Sequence, residues 1–239
     1  WSLTGGGPFY WPMTDKIQFF AYSPITVTNY TVPDKGYPSF SYVIKAVELQ
    51  EDLLAAKVEN ANKTENKTSV NLAFKHILTQ INFSAELESG VTYTVTKIEI
   101  MDVNNTGTFT YGTGDVVGAW SSLSGKISYE YAGKYDATAT DNVADFSTNA
   151  NALMLLPQTL SADAKIAVTY SAVKNGFTTF TGTKEVSLKD KVWGIGKNLR
   201  YTLKLSSDAT EVVFTPSVSE WTDETPQPDP VTPVTPLTE

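Results

Sequence analysis

Cysteine is absent from this chain of 239 residues, and that single absence removes disulfides, thiolate metal sites and cysteine nucleophiles together. It leaves the compartment open, because a domain with a sizeable core can be secreted without crosslinks. Histidine is almost absent as well: His76 stands alone, so a Ser-His-Asp arrangement has little support and a site needing two imidazoles has none. Charge is sparse at 18%, and acids outnumber bases by 26 to 18 for a formal charge of −8. A polyanion would be repelled, and the most basic stretch, Lys184 to Lys191, is interleaved with acids, so no nucleic acid partner is expected. No apolar run approaches the roughly 18 residues that cross a bilayer, which leaves no transmembrane segment, and no charged-then-apolar signal opens the chain. Helical periodicity longer than about two turns is missing too, which disfavours an α/β architecture.

What the chain does have is 41% hydrophobic and 12% aromatic residues, rich in Thr, Tyr, Val and Phe. These are the residues that fit a pleated, half-buried surface. Lys16–Ser23 carries apolar side chains on both parities and is expected to be a strand covered on both faces. Phe40–Val47 alternates Phe40, Tyr42 and Ile44 against Ser41, Val43 and Lys45, the pattern of a half-buried strand. Tyr93–Val103 and Ala164–Val173 read as strands. Asn198–Ser206 is the cleanest: Leu199, Tyr201, Leu203 and Leu205 face inward, as in an antiparallel strand with one wet face. Glu51–Ala56 is expected to form one helical turn. In Val70–Leu87 the buried parity switches from Leu72, Phe74, His76 and Leu78 to Ile81, Phe83, Ala85 and Leu87, which requires a kink near Lys75–Thr79.

Asn104–Gly118 and Tyr129–Asn151, rich in Thr, Gly, Asn and Asp, are expected to be long loops or hairpin ends. Glu59–Ser69 has no apolar period and is the best internal boundary. From Thr225 onward proline recurs at nearly every second or third position, so polyproline conformation is expected and backbone donors are scarce.

Candidate chemistry is thin. His76 is expected to be a packed core histidine, hydrogen-bonded among Phe74, Ile77 and Leu78. Asp136, Asp141 and Asp145 come nearest to an acidic cluster, and solvated turn residues are their expected role; a weak calcium site is the alternative, without the Gly and terminal Glu of an EF-hand loop. Gly112–Gly118 fails the dinucleotide spacing. No catalytic, cofactor-binding or metal-binding residue is assigned. Phe9, Tyr10 and Trp11 form an aromatic knot read as packing. Trp120, at an expected loop edge, and Tyr111 and Tyr135 in loops make a possible glycan platform. Sequons at Asn29, Asn62, Asn66, Asn82 and Asn104 are expected by chance in a chain so rich in Asn and Thr.

Five blocks resemble one family. Phe74, His76, Leu78 and Ile81 form an F-x-H-x-L-x-x-I pattern; Pro8–Pro24 carries a Tyr-Trp-Pro segment before an aromatic strand; Gln50–Ala56 carries Asp-Leu-Leu. Leu153–Leu160 and Trp193–Leu205 follow, with V-x-x-W at Val218 to Trp221. In this order they are similar to the fimbrillins, pilus subunits and adhesins of Bacteroidales. The resemblance implies an all-β fold of two transthyretin-like β-sandwich domains, residues 1–68 and 69–224, followed by a Pro-rich tail at 225–239; the first domain is expected to be incomplete, because family members carry strands ahead of the Tyr-Trp-Pro block. It implies a non-enzymatic protein of the bacterial surface, exported as a lipoprotein precursor. Its implied partners are other pilin subunits, joined when a strand fills a groove opened by proteolysis, or a host or bacterial surface protein or glycan. A tip or accessory role is implied over a repeating stalk. A surface glycan-binding module is the rival reading, and a secreted glycosidase or peptidase the weakest one.

Overall fold

The computed structural model describes residues 10–66, 69–131, 135–138, 143–146, 152–208 and 212–221. The chain is all-β: among these residues the one helical element is a single 3-10 turn, Val47–Leu49. In order come β1 (Ile17–Ser23), β2 (Thr28–Thr31), β3 (Ser39–Val43), β4 (Leu54–Ala61), β5 (Lys75–His76), β6 (Thr79–Glu86), β7 (Val91–Tyr111) and β8 (Gly118–Tyr131). Then follow β9 (Tyr135–Thr138), β10 (Val143–Asp145), β11 (Leu153–Leu155), β12 (Lys165–Lys174), β13 (Phe177–Ser187), β14 (Lys197–Lys204) and β15 (Val213–Glu220). They form three sheets. One has the order β1-β4-β5; the second runs β13-β12-β7-β3-β2, with β8 and β9 also on β7; the third runs β10-β6-β14-β15, with β11 also on β6.

The first and second sheets meet through aromatic rings. Phe20 and Tyr22 point from β1 toward the second sheet, where Phe20 lies 5.0 Å from Tyr111 and Tyr22 lies 5.3 Å from Phe40. Phe40 continues the stack to Phe109 at 5.2 Å and to Trp120 at 6.4 Å. On the other parity of β1, Phe19 meets Trp11 edge-on at 6.2 Å, so both faces of the strand are occupied as its pattern implies. Across the second and third sheets, Phe83 packs on Tyr131 at 4.9 Å and the Tyr93 hydroxyl donates to Leu205 O. One buried cluster runs from Phe40 to Val212.

Several expectations are corrected. The helical turn sits at Val47–Leu49 rather than Glu51–Ala56, because Leu54–Ala56 pairs with Ala21–Ser23 of β1. Ladder pairing overrides the helix propensity of Leu and Ala. Asn104–Tyr111 is not a loop but the second half of β7, pairing with β3 and β8. Threonine suits a strand as well as a turn, and here Thr106, Thr108 and Thr110 alternate with Gly107, Phe109 and Tyr111, which are all buried. Gly107 leaves no room for a side chain: a Cβ there would lie 2.7 Å from Leu123 Cδ2. β7 bends at bulges between Ile100 and Val103 and between Thr106 and Thr108, with Asp102 in left-handed backbone at φ 58°. Tyr129–Tyr131 closes β8, and parts of the expected second loop form β9 and β10. β4 reaches Ala61, so the gap between strands opens later than Glu59.

β14 pairs antiparallel with β15 but parallel with β6, residue for residue from Lys197↔Thr79 to Lys204↔Glu86. On its outward face Asn198, Arg200 and Thr202 are half-buried and Lys204 is exposed, and Ser84 and Thr202 share a hydrogen bond of 2.9 Å there. Two ladders cross the 68/69 line, β3 with β7 and β4 with β5. A chain cut after the exposed Lys63 is accordingly expected to elute as one species in native gel filtration and to separate only in denaturant. The Pro-rich tail 225–239 lies outside the described residues.

Candidate functional site

The parity switch in Val70–Leu87 has a specific cause: the chain changes sheets. Lys75 and His76 pair with Ala55 and Leu54 in the first sheet, and from Thr79 the backbone joins the third. Ile77 and Leu78, between the two, are both fully buried. The crossing is fastened on every side, by Ile77 N to Leu53 O at 3.0 Å, the Trp120 indole N–H to Ile77 O at 2.7 Å, and Gly196 N to Leu78 O at 2.9 Å.

His76 is packed and hydrogen-bonded as expected, and its partners come from distant parts of the chain. Its Nδ1 lies 2.6 Å from Asp52 Oδ2, and its ring stacks on Trp221 with centroids 4.0 Å apart and planes 6° from parallel. The side chain is 9% exposed against 23% for Asp52, whereas Phe74 stands 42% exposed. Trp221 is held in turn by its backbone N–H, which donates to Gly196 O at 3.0 Å. Gly196 has φ +64°, and a Cβ there would come within 3.0 Å of His76 O, so the turn needs glycine on both counts. Sequence reading missed Asp52 as the partner because 24 residues separate it from His76; the signal available was the Asp-Leu-Leu block itself.

Two further quoted blocks pack nearby: Leu155 pairs with Thr79, whose hydroxyl donates to Gly194 O at 2.7 Å. Gln158, from Leu153–Leu160, accepts from Asn104 N and donates to Asn104 O, both at 3.0 Å, and so spans the β7 bulge. Trp193 exchanges backbone hydrogen bonds with Gln158 and donates its indole N–H to the Tyr201 hydroxyl at 2.8 Å. Burial pushes the Tyr201 hydroxyl up, and the Trp193 bond pulls it partly back. The blocks that look like separate motifs along the chain are thus one set of fastenings between sheets.

Beside the His76–Trp221 stack opens a cleft of about 480 Å³, lined by Phe74, His76, Asp115, Val116, Ile195 and Trp221 among others. A second, of about 350 Å³, shares Gly118 and Ile195 with it and extends past Trp120, Pro157 and Val192. The wall formed by the β7–β8 turn is tied to β4. Glu59 accepts from the Tyr37 hydroxyl at 2.6 Å, Lys57 Nζ at 3.1 Å and Gly114 N at 3.0 Å, and Lys57 also donates to Gly112 O. The Tyr37 bond first, then Lys57, holds the Glu59 carboxyl below its ordinary value of 4.5. Glu51 and Glu88 are lowered chiefly by Lys45 and Lys174.

Two expected results follow from these contacts. Because these carboxyl groups titrate lower in the fold than in the unfolded chain, their stabilisation is complete above the ordinary carboxylate value and is lost as pH falls below it. The melting temperature should therefore drop on acidification below that value, and Glu59→Gln should flatten the drop. Asp52→Ala, which removes the carboxyl group at the partly buried His76 Nδ1, is expected to cost about 1–3 kcal/mol in a denaturant titration, while Asp52→Asn should recover part of that.

Tyr111 is not available to the expected glycan platform. Tyr111 is buried, donates its hydroxyl to Ala21 O at 2.6 Å, and is raised by burial well above the ordinary tyrosine range. Trp120 is on β8, with its N–H spent on Ile77; the Tyr135 side chain lies outside the described residues. Of the three acids, Asp145 is on β10 and pairs with Arg200 at 2.8 Å, β9 contains Asp136, and Asp141 lies outside the described residues. Among the described residues no group of three or more His, Cys, Asp or Glu side chains is placed to hold a metal ion, and no helix is long and apolar enough to cross a membrane. Tyr10 is exposed and Trp11 half-buried; Phe9 lies outside the described residues.

Comparison with known proteins places this geometry. The sequence profile described as fimbrillin-like matches residues 1–221. The fimbrium subunit Fim1C of Phocaeicola vulgatus is 24% identical over 90% of this chain and 71% of its own. A crystal structure of a fimbrial protein from Bacteroides vulgatus superposes with a TM-score of 0.66 at 21% identity, covering 89% of this chain and 80% of that one. A candidate cell adhesion protein from Bacteroides uniformis gives 0.53 at 18% identity, over 90% and 77%.

Proposed function

Since this chain belongs to the fimbrillin-like family, matched over residues 1–221, we propose that it is a non-enzymatic surface subunit or adhesin of a fimbrium that joins its neighbours by strand addition. The observation that carries this reading is the edge of the first sheet. Among the described residues β1 pairs with β4 alone, so its far side presents a row of backbone donors and acceptors over Ile17–Ser23. Phe19, Phe20, Ala21 and Tyr22 along it are all only half-buried. Bare backbone flanked by incompletely covered apolar side chains favours an incoming strand, which supplies both the hydrogen bonds and the missing cover. The same row would be a hazard on a protein with no partner.

The prolines at 226, 228, 230, 233 and 236 remove backbone donors from the segment after Trp221, and this supports an accepting, tip or accessory role over that of a stalk unit which donates a strand there. Export as a lipoprotein precursor accords with a fimbrial place. The test is mixing with a stalk subunit. Oligomers that survive heating in detergent, with slowed amide exchange confined to Ile17–Ser23, are the expected result; persistent monomers with β1 amides exchanging as before would overturn it.

A further inference from the structure

β15 is the outer strand of the third sheet. Among the described residues it pairs with β14 alone, and Val213 and Val218 stand 40% and 61% exposed along it. Its hydrogen-bond phase can be read from its end. Trp221 N donates to Gly196 O at 3.0 Å, extending the Lys197↔Glu220 register by one pair. Donors alternate sides along an antiparallel ladder, so residues 213, 215, 217 and 219 donate toward β14. Phe214, Pro216, Val218 and Glu220 are then the residues whose nitrogens face outward. Pro216, opposite Tyr201, therefore costs the ladder nothing and sits at the middle of the open row. There it removes the central donor and puts ring carbons where an incoming strand would lie. β1 carries no proline between Ile17 and Ser23.

We propose that Pro216 closes the β15 edge against a second copy of this chain. An antiparallel pairing of β15 with the β15 of another molecule would place both proline rings within the shared ladder. Strand addition is thereby kept off β15, a corollary that rests on the function proposed above, whereas the block itself does not.

The test uses the full chain. Pro216→Val should melt at or above the wild-type temperature and self-associate about tenfold or more tightly, roughly 1.4 kcal/mol, in sedimentation velocity, with new amide protection at Phe214 and Val218. Ser217→Pro, one position along, should instead lower the melting temperature, because it removes a donor that faces β14. The proposal falls if folded Pro216→Val associates no more than wild type, if the new protection appears on β1, or if Ser217→Pro is neutral. Should Pro216→Val not fold, Pro216→Thr is read in the same way, and failure of both to fold also overturns the proposal, since the proline would then serve the fold. Because association is read on this chain alone, its outcome is separate from that of mixing with a stalk subunit.

Discussion

Phe40→Ala is expected to lower the unfolding free energy by about 3–5 kcal/mol. Phe40 is fully buried on β3 and touches the rings of Tyr22, Phe109, Tyr111 and Trp120. Those rings come from β1, β7 and β8, so the cavity would open where the first sheet leans on the second. Relaxation is limited: Trp120 is anchored through its indole N–H to Ile77 O and Tyr111 through its hydroxyl to Ala21 O. The cost should therefore sit at the upper end of the range, and Phe40→Leu, which keeps most of the volume, should cost clearly less. Urea titration gives both values. Equal costs for the two variants would mean that the rings close over the gap and that the sheets are not held there. The same experiment bears on function, because loosening β1 should speed amide exchange along Ile17–Ser23 before the rest of the chain.

Trp193→Ala is the second, also about 3–5 kcal/mol from lost burial. Here the polar part adds to the loss, because the Tyr201 hydroxyl is left without the indole N–H in a buried site, a penalty of about 1–3 kcal/mol. Separating the two terms is direct. Trp193→Phe removes the donor and part of the volume, and Tyr201→Phe removes the orphaned hydroxyl, so the double variant Trp193→Phe/Tyr201→Phe should be more stable than the sum of its single changes predicts. Strict additivity would show that the 2.8 Å contact contributes nothing net.

Much of the architecture could be read locally. Leu199, Tyr201, Leu203 and Leu205 are all buried, as are Ile166, Val168 and Tyr170, because period-two alternation is a property of the strand itself and needs no knowledge of its neighbours. The kink before Thr79 could be placed for the same reason. The second half of β7 was misread because Asn, Thr and Gly belong to the vocabulary of turns. The alternation Gly107, Phe109, Tyr111 was present, but only the flanking β3 and β8 make a strand of it. Glu-Asp-Leu-Leu-Ala-Ala likewise has helical propensity that pairing with β1 overrides.

The candidate site was the least legible part. Its residues were each singled out, His76 and Trp221 among them, yet not as neighbours. Asp52 reaches His76 only through the register of β4 on β5, and Trp221 reaches it only because β15 follows β14, which lies parallel to β6.

The sequence by itself determined that this is an all-β, cysteine-free, acidic chain with particular strands and inward faces, and it determined the family, because those properties and the quoted blocks are carried by neighbouring residues. Tertiary structure alone decided which strands pair, that Tyr111 is core rather than platform, and that Asp52, Gly196 and Trp221 meet at the His76 crossing. The physical reason is that alternation fixes which side of a strand is apolar but not which strand lies beside it. That choice is made between segments far apart in the chain, 118 residues at Ser84 and Thr202, by the closing of the core.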